Sequence, residues 1–239
     1  MEPRRAPFRT TRWSLVRRAR VDDDAGRAAL DELCAIYWPA VYGFLRRSGL
    51  DGETAQDRTQ ALFARILERG DLDTVDPDRG RFRAWIKTCA RHVATNARAH
   101  DRAERRGGER TALSLDAARL DDAERRLEPG HDETPDRSFD RLWALAALDR
   151  AWARLRDEQA SRGRGELFDA LRPWLEGGDG PAPYGELAGH FQTTEGALKV
   201  AAHRWRQRLR ELLVGEVRDT LPDDDDGVDE LGELIAALG

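Results

Sequence analysis

A basic face runs along the segment 194–213, and its residue types are those that bind nucleic acid. Lys199, His203, Arg206 and Arg210 follow one another at spacings of four, three and four, which places them on one side of a helix. Such a helix fits the major groove of DNA, where cations bind phosphates and the first two turns reach base edges. The candidate contacts to duplex DNA are Thr194, Glu195, Gly196, Lys199, Val200, His203, Arg204 and Arg206.

The residues before this segment strengthen the DNA-binding interpretation. A short helical stretch begins at Tyr184, a tight turn is expected at Gln192 and Thr193, and Thr194 is a suitable cap for the second helix. The order predicts a helix-turn-helix. The alternative is an amphipathic core helix whose charged side only faces solvent.

A second concentration of positive charge lies at 79–110, where ten Lys or Arg residues stand against three acids. Arg83, Lys87, Arg91 and Arg98 form a ridge on a predicted helix, with Trp85 beside them. Aromatic rings next to cations suit unpaired bases, which stack on the rings while phosphates follow the charge. A buried tryptophan beside a solvated arginine face would produce the same pattern, so both interpretations stay open here.

The sequence offers little to catalysis or metal binding. Cys89 and His92 stand one helical turn apart, but only Cys34 and distant histidines remain to complete a zinc site. The chain has no phosphate-binding glycine loop, no nucleophile elbow and no His-Glu-x-x-His motif. We therefore expect no metal, no cofactor and no enzymatic activity.

The spacing of apolar residues is helical in almost every segment, and no run alternates long enough to predict a sheet. We expect an all-α protein. Trp13 and Val16 predict a short first helix, and Pro39 should kink or divide the second. Three apolar stripes predict the helices of a first core: Leu30, Leu33, Tyr37, Val41, Phe44 and Leu45; Ala55, Thr59, Leu62, Phe63, Ile66 and Leu67; and Phe82, Trp85, Ile86, Cys89, Val93 and Ala97.

These elements predict two small helical domains. The first spans 1–105, and a polar linker at 106–134 follows, where the apolar pattern fades. The helix-turn-helix domain spans 135–214, opened by Thr134 as a cap and Pro135 in the first turn. The tail at 215–239 carries nine acids and one Arg. It is expected either to lie as an acidic amphipathic helix on the second domain or to remain solvated.

Composition limits the class of protein. The chain has 239 residues, of which 40% are apolar and 36% charged, and its net charge is −5. The longest apolar stretch, Leu142 to Leu148, is far shorter than the roughly 20 residues that a bilayer requires. The two cysteines are too few for a disulfide framework. These features predict a cytoplasmic protein without a membrane partner.

Three segments together resemble a known family. They are 53–63, with the sequence ETAQDRTQALF; 82–98, which begins FRAWI and ends NAR; and 194–204, with the sequence TEGALKVAAHR. In this order, with a linker before the third, they resemble bacterial RNA polymerase sigma factors of the minimal extracytoplasmic-function kind. Those proteins keep only conserved regions two and four.

The resemblance implies a role for each segment. The first docks on the clamp helices of the polymerase β′ subunit, with Asp57, Gln60, Ala61, Phe63 and Arg65 as its contacts. The second melts and recognises the −10 element through Arg83, Trp85, Lys87, Arg91, His92, Asn96 and Arg98. The third is the −35 recognition helix. Gln192 stands at a turn position where that family often has glycine.

The implied partners are core RNA polymerase, through its β′ and β subunits, and promoter DNA, while an anti-sigma partner is left open. Two other functions remain. One is an autonomous helix-turn-helix regulator whose first domain senses a signal or dimerises. The other is an interaction protein whose helices bind only other proteins. Binding to core polymerase separates the sigma factor from both.

Overall fold

The computed structural model describes residues 13–21, 23–69, 72, 82–100, 117–127, 133–178, 180, 183–218, 232 and 236. Within these ranges the chain is helical and contains no strand, which confirms the all-α prediction. The helices are α1 (Trp13–Ala19), α2 (Asp24–Arg47), α3 (Gly52–Arg69), α4 (Phe82–His100), α5 (Ala117–Arg126), α6 (Pro135–Ala160), α7 (Gly165–Leu175), α8 (Tyr184–His190) and α9 (Glu195–Arg218).

The chain divides into two compact units. The first comprises 1–146 and 217–239, and the second comprises 147–216. The first part of α6, predicted to open the second domain, therefore packs within the first unit.

Helices α2, α3 and α4 form the core of the first unit, as the three apolar stripes predicted. The central helix α2 is capped by Asp23, whose Oδ1 accepts a hydrogen bond from the Gly26 amide at 2.6 Å. It continues through Pro39 as one helix. The Tyr37 ring meets the Phe82 ring edge-on, with 5.3 Å between centroids, and so joins α2 to the first turn of α4.

Helix α5 lies inside the segment that composition predicted to be a linker. Its Ala123 is buried. Glu124 accepts a hydrogen bond from the Tyr42 hydroxyl and another from Arg46 Nε at 2.8 Å, which ties α5 to α2. The charged residues of this stretch therefore include those of a helix that packs on α2. The linker prediction missed this helix because the residues it contacts on α2 lie about 80 positions earlier in the sequence.

The second unit is built around aromatic side chains. Phe168 of α7 lies between Trp152 of α6 and Trp205 of α9, at centroid distances of 6.1 and 5.5 Å. The fully buried carboxylate of Glu216 pairs with Arg150 at 2.7 Å and with Arg154 at 2.8 Å. These contacts hold the end of α9 against α6.

Most of the acidic tail lies outside the described residues. Beyond α9 only Gly232 and Ala236 are described, and both are exposed. The predicted docking of this tail on the second domain is therefore still a prediction. In the described part of the chain, no helix has both the length and the apolar character needed to cross a bilayer.

Candidate nucleic-acid interface

The turn between α8 and α9 positions the predicted recognition helix. Gln192 has a φ of 50°, the left-handed conformation that glycine adopts most easily. The Thr193 amide donates to the Ala188 carbonyl at 2.9 Å, which closes the turn. Thr194 then caps α9, because its Oγ1 accepts a hydrogen bond from the Ala197 amide at 3.2 Å. The turn and cap predicted from the sequence are confirmed.

Helix α9 separates a packed side from an exposed side. Leu198, Ala202 and Trp205, which follow one another at spacings of four and three on one side of the helix, are buried in the second unit. All eight predicted duplex contacts, from Thr194 to Arg206, are exposed. Among them Val200 is apolar and yet 50% exposed. Packing within the second unit therefore does not account for an apolar residue at this position. The exposed side thus presents cations, a carboxylate and one apolar group.

Some members of this exposed set already have partners within the second unit. Lys199 Nζ lies 3.5 Å from the Glu195 carboxylate and 5.6 Å from the centre of the Tyr184 ring. Arg206 donates to the Trp174 carbonyl at 2.5 Å. These contacts orient the long side chains and leave them exposed.

Helix α4 carries two stripes that sequence analysis had combined. Trp85, His92 and Asn96 follow one stripe; Trp85 is half-buried against Phe82, at 5.4 Å between ring centroids, and the other two are exposed. The charged stripe consists of Arg83, Lys87 and Arg91, at i, i+4 and i+8. Arg98 was also predicted to contact DNA, and its side chain lies outside the described residues.

The charged stripe of α4 is paired with acids on α6. Lys87 Nζ lies 2.6 and 2.7 Å from the two carboxylate oxygens of Asp140. Arg83 Nη1 lies 3.3 Å from the same carboxylate, and Arg91 Nη2 lies 2.5 Å from Asp136. Of the predicted −10 contacts on this stripe, Arg83 is buried and Lys87 is largely covered, in contrast to what strand binding requires, while Arg91 is exposed.

Helix α3 presents part of the predicted polymerase surface. Asp51 caps it by accepting from the Thr54 amide at 2.9 Å, and hydrogen bonds from Thr54 hold the pKa of Asp51 below its ordinary value. Asp57 is exposed, and Gln60, Ala61 and Arg65 are partly exposed. Phe63 is only 3% exposed, so it packs in the core and is not available to a partner, in contrast to the prediction.

The described residues contain no group of three or more His, Cys, Asp or Glu side chains arranged to hold a metal ion. Cys34 is a free cysteine, and burial raises the pKa of its thiol to about 12. The residues that sequence analysis missed are Asp136 and Asp140. Their signal was weak, because acids near a helix N-terminus are common for reasons of helix stability alone.

Comparison with known proteins decides the family. Residues 34–104 match the family model described as Sigma-70 region 2, which covers most of α2 and all of α3 and α4. The RNA polymerase sigma factor CarQ of Myxococcus xanthus is 32% identical over 170 residues, which span 62% of this chain and 92% of that protein. The chain belongs to the extracytoplasmic-function RNA polymerase sigma factors. It is thus a factor of transcription initiation.

A second relative agrees with this assignment. The ECF RNA polymerase sigma factor RpoE of Cereibacter sphaeroides is 33% identical over 92 residues, 38% of this chain and 49% of that protein. No solved structure matches this sigma factor. Its α8–α9 pair lies outside the residues that match Sigma-70 region 2. The case for DNA binding by this pair therefore rests on the geometry of the turn and of α9.

Proposed function

We propose that this sigma factor makes three contacts during initiation. Helix α3 docks on the clamp helices of the polymerase β′ subunit, α4 holds the unwound −10 strand, and α8 with α9 forms a helix-turn-helix that recognises the −35 duplex. The β subunit of core polymerase is a further partner in this proposal. The protein acts in the cytoplasm with core polymerase and catalyses no reaction itself.

The observation that carries the proposal is the division of α9 into a packed and an exposed side. Leu198, Ala202 and Trp205 bury one side. The first turns of the other side expose every predicted DNA contact. Side chains at the start of a recognition helix reach base edges, while arginines further along bind phosphates. This arrangement supports duplex recognition by α9.

Two further observations support the other contacts. On α3, Asp57 and Gln60 point away from the buried Leu62 and Ile66, so they are available to a partner helix. On α4, Trp85 is half-buried on Phe82. A half-buried tryptophan keeps part of its ring accessible, and an unpaired base can stack on such a ring.

Binding to core polymerase and binding to DNA together test the proposal. Purified chain is mixed with core polymerase, and the complex is detected by gel filtration. We expect a one-to-one complex that binds promoter DNA more tightly than the free chain does. Promoter-specific DNA binding in the absence of polymerase, with no complex formed, would favour the autonomous regulator instead. If neither association is found, the interaction protein is favoured.

A further inference from the structure

The charged stripe of α4 meets a matching set of acids on α6, within the first unit. Asp140 receives Lys87 on both carboxylate oxygens, at 2.6 and 2.7 Å, and Arg83 at 3.3 Å. Asp136, one helical turn earlier on α6, receives Arg91 at 2.5 Å. Three cations on successive turns of α4 are thus matched by two acids on successive turns of α6, and the order of the pairs along α6 is the reverse of that along α4.

Aromatic side chains of α6 reinforce the pairing. The Arg83 guanidinium lies 4.8 Å from the centre of the Trp143 ring, and Lys87 Nζ lies 5.2 Å from the centre of the Phe139 ring. Both rings are buried. Each cation therefore contacts an acid and an aromatic face together, the combination that a single-stranded nucleic acid offers through its phosphates and bases.

The low exposure of Lys87 indicates that its pairing with Asp140 competes with the binding of other ligands. The Lys87 side chain is 15% exposed, whereas that of Lys199 on α9 is 61% exposed. Both oxygens of the Asp140 carboxylate contact the Lys87 ammonium group, so a phosphate can bind Lys87 only by displacing that carboxylate. Strand binding at this stripe therefore requires that the acids of α6 first give way.

We propose that the first turns of α6, from Asp136 to Trp143, are an internal occupant of the strand-binding stripe of α4. The carboxylates stand where phosphates would lie, and the aromatic rings stand where bases would stack. The free sigma factor is then closed to single-stranded DNA, and the stripe opens when α6 moves away from α4. This inference rests on the proposed role of α4 at the −10 element.

The first test measures single-stranded DNA binding by the full chain without polymerase. The probe is a short, labelled, random-sequence DNA strand at one fixed salt concentration. The double variant Asp136→Asn and Asp140→Asn removes the competing charges with little change of shape. The control, Asp31→Asn with Asp121→Asn, changes the net charge equally at exposed positions of α2 and α5. We expect the first variant to bind about tenfold more tightly than the control, as the loss of a charged hydrogen-bonded partner predicts.

A second test needs no variant. The chain contains only two lysines, Lys87 and Lys199, so amine modification followed by mass spectrometry compares the two sites directly. In the parent protein, without substitutions, Lys87 should react several times more slowly than Lys199, because Asp140 and Phe139 cover Lys87. The Asp140→Asn substitution should raise the Lys87 rate and leave the Lys199 rate unchanged.

The outcomes separate the proposal from the function on which it rests. Equal DNA affinities of the double variant and its control, or equal lysine rates in the unmodified protein, would overturn the internal occupant. A third variant adds Lys87→Ala to the double substitution, and we expect it to lose most of the gained affinity. If the gain persists, the strand binds elsewhere, and the role of α4 at the −10 element fails with the proposal.

Discussion

Lys87 and Asp140 stand 53 residues apart in the sequence, and Lys87 Nζ lies within 2.7 Å of both carboxylate oxygens of Asp140. This pair joins a helix of the Sigma-70 region 2 match to the first turns of α6. It also distinguishes the two stripes of α4. Lys87 belongs to the stripe that pairs with α6, whereas Trp85, His92 and Asn96 lie on the other stripe. The residues proposed to hold the −10 strand are therefore of two kinds. Some are accessible in the free chain, and others become accessible only when α6 moves away from α4.

Docking on polymerase should depend on the exposed side of α3. We expect Asp57→Ala with Gln60→Ala to weaken binding to core polymerase about tenfold, because each removes a polar contact worth about 0.5–1.5 kcal/mol at the interface. The measurement is a titration of labelled protein with core polymerase. Asp121→Ala, on α5, changes the same charge and should keep full affinity. Unchanged affinity of the α3 variant would remove α3 from the interface.

The apolar group on α9 should recognise a thymine methyl. Val200 is exposed among charged neighbours, and apolar contact with the thymine methyl is a common form of major-groove recognition. Replacing one thymine of the −35 element by deoxyuridine should lower promoter binding by the polymerase complex about fourfold, the effect of about 0.8 kcal/mol for one buried methyl-sized group.

The matched variant is Val200→Ala, which should bind both DNAs alike. Lys199→Ala is the contrasting variant: a phosphate contact would lower affinity on all promoters and reduce the salt dependence. Equal sensitivity to deoxyuridine in the parent and in Val200→Ala would exclude Val200 from base recognition.

The turn before α9 should carry a small conformational cost. Because Gln192 has a φ of 50°, Gln192→Gly should raise the free energy of unfolding by about 0.5–1 kcal/mol, after the greater freedom of glycine in the unfolded chain is subtracted. Gln192→Val should lower it, since a β-branched residue fits this conformation poorly. Hydrogen exchange of the α9 amides reports the change. A glycine variant less stable than Gln192→Ala would contradict the assigned backbone.

A pH-dependent ion pair joins α6 to α9. Arg208 donates to both oxygens of Glu158, at 3.0 and 2.8 Å, and these hydrogen bonds lower the pKa of Glu158 despite partial burial. A lowered folded-state pKa means that the pair stabilises the protein above the ordinary carboxyl pKa, and the effect is lost as pH falls through the lowered value. Near neutral pH, Glu158→Gln should therefore cost about 0.5–1 kcal/mol, since Arg208 is partly exposed to solvent.

The same difference should vanish in acid. Once the pH is below the lowered pKa of Glu158, the parent and Glu158→Gln should show equal protection of the α9 amides from exchange. Asp169→Asn, which breaks the exposed pair with Arg156, is a control for general charge effects. A difference between the parent and Glu158→Gln that stays constant with pH would show that the pair contributes through packing and not through charge.

Local pattern was enough to predict much of this molecule. The turn at Gln192, the cap at Thr194 and the core of α2, α3 and α4 all follow from helical spacing and short-range hydrogen bonds. The pairing of Lys87 with Asp140 does not, because no local pattern says which acid a distant cation will meet. Arg83 was misplaced for a related reason: its guanidinium contacts the Trp143 ring, and hydropathy treats arginine as a surface residue.

Helix α5 and Phe63 show two further limits. Composition predicted a linker at 106–134, yet α5 is held there by Glu124 and the buried Ala123. Phe63 lies on the inward stripe of α3 by spacing, while the family resemblance placed it at the polymerase surface. The structure agrees with the spacing. Where resemblance and periodicity disagreed about a side chain, periodicity gave its position.

Transcription by purified core polymerase on a pool of promoter fragments tests the central claim most directly. With this sigma factor added, we expect a subset of fragments to produce transcripts, and these fragments should share two sequence elements at a fixed spacing. Lys199→Ala with His203→Ala should reduce transcription from that subset while binding to core polymerase persists. If the added protein yields the same transcripts as core polymerase alone, the proposed promoter recognition is contradicted.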